Sequence, residues 1–478
     1  MRKRVWAAVL VPTMLVGGTA AYAWADAADL VPGFITSAPL PSPQPAFITA
    51  SPVAAASPTP GPVGPVDFAA PVPDAATVQA LAVALRADLR TGASTNVVVL
   101  DYLTGDVLAD LSASDTQVPA STTKLLTAVA ALDLFGPDHT VQTTVTWTEA
   151  VARLTLVAGG DLMLASGAGH HGAKLDAEGR PVANGWAGLG DLADQVAKAV
   201  PTGAAVTLAV DNSIFPGPAW PTEWPAYAQR LGYAATVSGI AVNVGKADHL
   251  GDEDYGPRDD DTAIRAQDDL AANLTALGYR VTTVGHALSS AGAETIATVD
   301  SAPLSAVVTH FLEYSDNSVA EETARLMGRE TGRRALPAGG AAATIERLAG
   351  LGVPVAGMEL HDGAGFSDRN RISPMQLART LVAARNAPNT RNLLEYLPLG
   401  GLEGTVATRY AGTPVAGFIY AKTGSLTGVT ALTGVVTTAD GRMLAFATLL
   451  DGMAHGQSKP QAATDEFVTA LADCGCGG

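Results

Sequence analysis

The chain has 478 residues, 47% of them hydrophobic, which is enough material for two domains with separate cores. A formal charge of −17 at pH 7 with no compensating basic stripe excludes a partner held by its phosphate backbone, so no nucleic-acid partner is expected. The two cysteines, Cys474 and Cys476, are too few for a disulfide framework and are expected in a short tail at 474–478.

Arg2, Lys3 and Arg4 precede an uncharged, mostly apolar run from Val5 to Ala25, so residues 1–25 have the pattern of a signal peptide or signal anchor. Ala21, Ala23 and Ala25 offer cleavage sites. Both readings put the bulk of the chain outside the cytoplasmic membrane, secreted or anchored to the membrane's outer face, with membrane contact only through this segment if it is kept. Residues 26–75, rich in Pro, Ala and Ser from Val31 to Pro73, are expected to form a disordered linker.

The folded part is expected to begin near Ala76, with a helical pattern through Leu81, Val83, Leu85 and Leu89. Asn96 to Asp101 and Val107 to Leu111, joined by Leu103-Thr104-Gly105-Asp106, read as a β-hairpin. Pro119-Ala120 then leads into Ser121-Thr122-Thr123-Lys124 and an apolar stripe of Leu125, Leu126, Val129, Ala130 and Leu132, the pattern of a helix start. Positions i and i+3 share a helix face, so Ser121 and Lys124 come within hydrogen-bonding reach. A serine hydroxyl becomes a useful nucleophile when a neighbouring base takes its proton, and a lysine serves as that base once burial lowers its pKa. Alone, Ser-x-x-Lys more often marks a capping serine and an exposed lysine.

From Ser121 to Ser315 the chain is far longer than a compact domain needs to join two neighbouring cleft elements, so a β-rich region is expected to be inserted at 139–282. Leu154 to Ala158, Gly159-Gly160-Asp161-Leu162 and Val206 to Val210 alternate short apolar runs with turn signals, and Thr262 to Leu277 carries an amphipathic helix pattern. Ser315-Asp316-Asn317 falls between two helical patterns, one through Leu304, Val307, Val308 and Leu312, the next through Val319, Ala320, Ala324 and Met327. It reads as a tight connection whose hydroxyl can relay a proton and whose amide can hold a substrate. Lys422-Thr423-Gly424 lies on an expected edge strand, offering a fixed positive charge, a hydroxyl and a glycine that permits close approach. Such a set suits a substrate ending in a free carboxylate.

No cofactor or metal is expected. His170-His171 lacks ligand spacing, Asp252-Glu253-Asp254 with Asp259-Asp260-Asp261 lacks calcium-loop spacing and reads as a solvated loop, and His361-Asp362 has no Gly-x-Ser-x-Gly elbow to serve.

The three strings, in this order, resemble those of the serine penicillin-recognising enzymes, and more narrowly the class C low-molecular-mass penicillin-binding proteins, which are D-alanyl-D-alanine carboxypeptidases and endopeptidases. Asp362-Gly363-Ala364-Gly365 with Asn370-Arg371 and Ser373-Pro374, Gly401-Leu402-Glu403-Gly404-Thr405, and Ser301-Ala302-Pro303-Leu304-Ser305 strengthen the narrower likeness. The resemblance implies an α/β (α+β) transpeptidase/β-lactamase-like core, an antiparallel sheet flanked by helices formed by 76–138 and 283–473, with the β-rich domain inserted after the nucleophile helix. It implies that Ser121 is the nucleophile and Lys124 its base. Ser315, Asn317 and Lys422 would assist, and Thr423, Gly424 and Ser425 would bind substrate. The implied partners are peptidoglycan peptides ending in D-Ala-D-Ala, with β-lactams as inhibitors. The alternatives are a serine β-lactamase and a catalytically silent cell-wall binding protein.

Overall fold

The computed structural model describes residues 69–92, 94–247, 250–252, 255–453 and 458–475; the signal segment and most of the expected linker lie outside them. The linker's last residues do not behave as a linker. Ala70 is buried and its carbonyl accepts from Arg442, so the packed chain starts before Ala76. Asp74 then caps α1 (Ala75–Ala87) by accepting from the Thr77 N–H.

β1 (Ser94–Asp101) and β2 (Val107–Leu111) form the expected hairpin. A single 3-10 turn, Ala120–Thr122, carries Ser121 into α2 (Thr123–Phe135). Next come β3 (Gln142–Thr148), β4 (Arg153–Val157), β5 (Asp161–Leu164), α3 (Leu189–Ala199), β6 (Ala205–Asp211), β7 (Ile240–Val242), α4 (Thr262–Ala276), β8 (Arg280–His286) and β9 (Glu294–Asp300). The remainder is α5 (Leu304–Glu313), α6 (Asn317–Glu330), α7 (Pro337–Gly350), α8 (Pro374–Asn386), β10 (Ile419–Leu426), β11 (Val429–Thr437), β12 (Met443–Asp451) and α9 (Ser458–Ala472).

One sheet, in the order β10-β11-β12-β1-β2, is antiparallel throughout. Both of its faces are covered, which explains why Val97 to Leu100 reads as an unbroken apolar run. Val97 and Val99 pack with Leu432, Phe446 and residues of α1 and α9. Val98 and Leu100 pack on the other side with Leu125, Leu132, Phe311 and Leu381 from the helices that include α2, α5 and α8. An antiparallel sheet flanked by helices is what the resemblance implies.

A second sheet, β8-β6-β4-β3-β9, is mixed: β4, β6 and β8 run parallel, whereas β3 pairs antiparallel with β4 and β9. Parallel neighbours need long crossovers, and here the connection from β4 to β6 contains α3 while that from β6 to β8 contains α4. Both helices bury Leu192, Val196, Leu270 and Leu274 against Leu154, Leu156, Leu208 and Val210. The region between the nucleophile helix and Ser315 is therefore less purely β than expected. It also ends later than residue 282: Thr283 lies within β8 and Ala297 within β9, both paired in the second sheet, so the chain leaves that sheet only after Asp300.

The expected C-terminal tail needs a correction too. Cys474 is buried in the cluster containing Phe467, Val468 and Leu471, because the chain stays on the core for one turn beyond α9; Cys476 lies outside the described residues.

Candidate active site

Helix α2 begins at Thr123, and the preceding turn presents Ser121 beside Lys124, whose Nζ lies 3.1 Å from the Ser121 Oγ. Lys124 is wholly buried. Its Nζ also donates to Asn317 Oδ1 at 2.6 Å and to the Ala364 carbonyl at 2.7 Å, so the side chain joins three distant parts of the chain. Burial pushes its pKa down to about 7, against the upward pull of Asp362 and Asp316. Near neutrality the amine is thus poised to take a proton from the serine it touches.

Ser315 and Asn317 sit at the junction of α5 and α6. The chain reverses within a single residue: Ser315 adopts φ 57°, Asp316 then caps α6 by accepting from the Ser318 and Val319 N–H groups, and Asn317 opens the helix. Burial opposes the charge on Asp316, but Arg258 and His310 hold its pKa below the usual carboxylate range. The Asn317 amide nitrogen donates to the Tyr233 carbonyl, tying this junction to the region inserted after α2.

β10 is the edge strand of the first sheet. Period-two alternation places Lys422 and Gly424 on one face and Thr423 and Ser425 on the other. Gly424 lies flush against the turn before α2, where an added Cβ would stand 2.7 Å from the Pro119 carbonyl oxygen and 3.2 Å from the Ala120 Cβ. The backbone alternates as well. The Ile419 carbonyl and the Ala421 N–H bond outward to Gly400 and Pro398, away from β11, so the same period turns the Ser425 N–H to the open edge.

Ser121, Ser315, Asn317, Thr423 and Ser425 line one cavity of about 570 Å³. Thr423 Oγ1 lies 2.9 Å from Thr405 Oγ1, which also faces that space. Lys422 lies beneath it, wholly buried, with its Nζ on the Thr423 carbonyl at 3.2 Å. The expectation of a fixed positive charge there needs amendment, because burial and the nearby Lys124 both drive the Lys422 pKa well below the ordinary lysine value.

Several contributors are not among the expected site residues, although Asp362-Gly363-Ala364-Gly365 forms one of the strings that carry the resemblance. Asp362 is wholly buried and gathers N–H groups from Gly365 and Ser367 at 2.6 Å, from Phe366 at 3.1 Å and from the Trp224 indole at 2.8 Å. That cradle holds the Ala364 carbonyl against Lys124. Gly365 admits no side chain, since a Cβ there would stand 1.9 Å from the Ala120 carbonyl oxygen. Asp252, Tyr255 and Arg258 reach the cavity from the stretch read as a solvated acidic loop, and Tyr233 from the segment before it. His361 lies outside this constellation, its Nδ1 on Glu223 at 3.2 Å. His170 and His171 also lie elsewhere, His170 bonded to the Asn184 carbonyl and His171 to Asp191.

The profile of the D-Ala-D-Ala carboxypeptidase 3 (S13) family matches residues 77–254 and 252–474. The chain belongs to that family. It is 33% identical over 412 residues to carboxypeptidase DacB of Mycolicibacterium smegmatis, covering 84% of this chain and 85% of the relative. It is 28% identical over 462 residues to the D-alanyl-D-alanine carboxypeptidase of an Actinomadura species, covering 80% and 82%. Its fold matches the crystal structure of penicillin binding protein 4 from Haemophilus influenzae with a TM-score of 0.66 at 17% identity, over 84% of this chain and all of that one. This S13 chain is accordingly a serine-type peptidase.

Proposed function

We propose that this S13 peptidase removes the terminal D-alanine from peptidoglycan stem peptides through an acyl-enzyme on Ser121, and that it works outside the cytoplasmic membrane. The observation that carries the reading is the buried Lys124 amine, held between the Ser121 hydroxyl and Asn317 with a pKa near neutrality.

In this mechanism neutral Lys124 takes the Ser121 proton as Oγ attacks the carbonyl of the penultimate D-alanine. The developing oxyanion is held by the Ser121 and Ser425 N–H groups, the second of them turned to the free edge of β10. Asn317 has one amide hydrogen on Tyr233 and offers the other to the substrate. Thr423 and Lys422 receive the terminal carboxylate. That anion supplies a counter-charge to Lys422, whose pKa burial and Lys124 both lower, so substrate binding favours the Lys422 ammonium form while Lys124 stays available as the base. Ser315 passes a proton to the departing amine, and water then releases the acyl group. A β-lactam acylates the same serine and leaves slowly.

Incubation with labelled penicillin, mass spectrometry of the adduct and an assay of D-alanine release test the proposal together. Stable label on Ser121 with D-alanine release is the expected result, and Ser121→Ala abolishes both. Rapid turnover of the drug without D-alanine release would make the protein a β-lactamase, and absence of label would leave only a binding role.

A further inference from the structure

Arg180 stands on a short hairpin of the inserted region, pinned by the bridge between Leu175 and Pro181. Asp176 fixes it from within the hairpin, accepting from the Arg180 backbone N–H at 2.7 Å and from its Nε at 2.8 Å. The rest of the guanidinium points at two carboxylates of the core. Nη2 donates to Glu313 Oε2 at 3.0 Å and Nη1 to Glu403 Oε2 at 3.4 Å. Glu313 precedes Ser315 by two residues, and Glu403 precedes Thr405, the hydroxyl partner of Thr423, by two residues. Both residues are buried, the Glu313 side chain 11% and the Glu403 side chain 7% exposed. Their segments also touch directly: Gly404 adopts φ +47°, and a Cβ there would stand 2.5 Å from the Glu313 carbonyl oxygen.

We propose that Arg180 is a positioning residue that ties the segment carrying Ser315 to the segment carrying Thr405, fixing the leaving-group end of the cleft and giving the inserted region a part in the reaction. The proposal rests on the assignment of Ser121, Ser315 and Thr423 above. A planar guanidinium satisfies two carboxylates at once with directed N–H groups, which an ammonium on a flexible stem cannot reproduce. A second cavity of about 400 Å³, lined by Glu313 and Glu403, shares Tyr255, Tyr314 and Thr405 with the first, so the clamp borders the path beyond the departing residue.

Without Arg180, Glu313 and Glu403 become two buried like charges, and either one takes up a proton or the segments part. With Arg180 in place the Glu313 pKa stands raised to about 7, lifted by burial first and by Glu403 and Asp176, against Arg180 and a hydrogen bond from Tyr314. Glu403 is itself raised by burial, with the Leu399 N–H and Arg180 opposing and Glu178 and Asp176 adding to the rise. The loss caused by removing Arg180 is therefore largest above neutrality and shrinks as pH falls and Glu313 is protonated.

The test is kcat/KM for a D-Ala-D-Ala peptide from pH 6 to 9 in the full chain, for the parent, Arg180→Gln, Arg180→Lys, Thr405→Val and the Arg180→Gln/Thr405→Val double variant. Arg180→Gln is expected to lose roughly tenfold or more at the alkaline end, with the ratio to parent narrowing toward pH 6. Arg180→Lys recovers part of the loss, and keeps the test open if the glutamine variant fails to fold. The double variant is expected to be no worse than the poorer single one, since both substitutions free the same segment. Unchanged kcat/KM, a pH-independent ratio or fully additive losses would overturn the proposal. Penicillin labelling of the parent, measured alongside, separates failure of the Ser121 assignment from failure of the Arg180 proposal.

Discussion

A lysine amine sealed away from water binds its proton weakly unless carboxylates compensate, and for Lys124 the compensation is partial: Asp362 and Asp316 raise a pKa that burial has brought down to about 7. The working form is the free base, so acylation by penicillin is expected to rise with pH through about 7 and level off above it, as stopped-flow acylation rates across that range will show. Asp362→Asn removes one compensating charge. The Lys124 pKa then falls further, moving the midpoint to lower pH, while the plateau drops because an amide cannot accept all the N–H groups gathered on Asp362. Trp224→Phe removes a single donor from that carboxylate and leaves its charge, so its midpoint stays with the parent. At this scale the sequence is legible where the proposed mechanism uses a side chain, since Ser121 with Lys124, Ser315, Asn317 and Thr423 come together at one cavity. It is silent where a backbone group does. The Ala364 carbonyl on Lys124 has no residue-type signature, and Asp362 acts by folding five following residues around itself.

The active site forms where elements meet without side chains between them. Gly365 lies on the peptide before Ser121 and Gly424 presses β10 against the same turn, so both distances to the nucleophile are set by missing Cβ atoms. Gly424→Ala places a methyl group 2.7 Å from the Pro119 carbonyl oxygen and 3.0 Å from the Ala431 Cβ, and β10 has to move away from the turn. Because the Ser425 N–H moves with the strand, acylation is expected to fall by roughly a hundredfold. The thermal midpoint should shift little, since β10 is an edge strand and keeps its pairing to β11. A collapse of stability with no change in the acylation rate of the folded fraction would contradict this account. The strands themselves are legible because their two covered faces leave long β-branched runs, as at Val97 to Val99. Helix α3 is legible by the same kind of test, since Leu189, Leu192, Ala193 and Val196 stand at i, i+3, i+4 and i+7, a helical stripe that the reading of 139–282 as β-rich leaves out.

Over the whole molecule, the two sheets have separate hydrophobic clusters, but the cluster under the first sheet runs on into the inserted region through Leu162, Met163, Phe215, Trp224 and Val237, and buried polar contacts accompany it across the seam. The Ala235 N–H donates to Ser318 Oγ, Trp224 to Asp362, Asn317 to the Tyr233 carbonyl, and Arg258 pairs with Asp316 at 3.6 Å. The length between motifs reveals the inserted region, but the sequence hides where it ends, because Arg280 to Asp300 has the same alternating character whichever sheet it joins. It hides the seam too, because the apolar and polar residues of the inserted region that meet the core are scattered from Leu162 to Arg258 with no shared spacing. Buried groups that satisfy one another across a seam lose their partners if one side opens alone, so the regions are expected to unfold together. The chain carries its own reporters. Trp147, Trp186, Trp220 and Trp224 are the tryptophans among the described residues, and all lie in the inserted region, whereas penicillin labelling of Ser121 reports on the core. Urea titrations followed by tryptophan fluorescence and by residual labelling should coincide. Leu270→Ala, a cavity in the second sheet's core far from Ser121 in sequence, should lower both midpoints together by the equivalent of about 2–5 kcal/mol. Fluorescence midpoints that fall while labelling holds would show that the inserted region opens independently and that the seam contributes little.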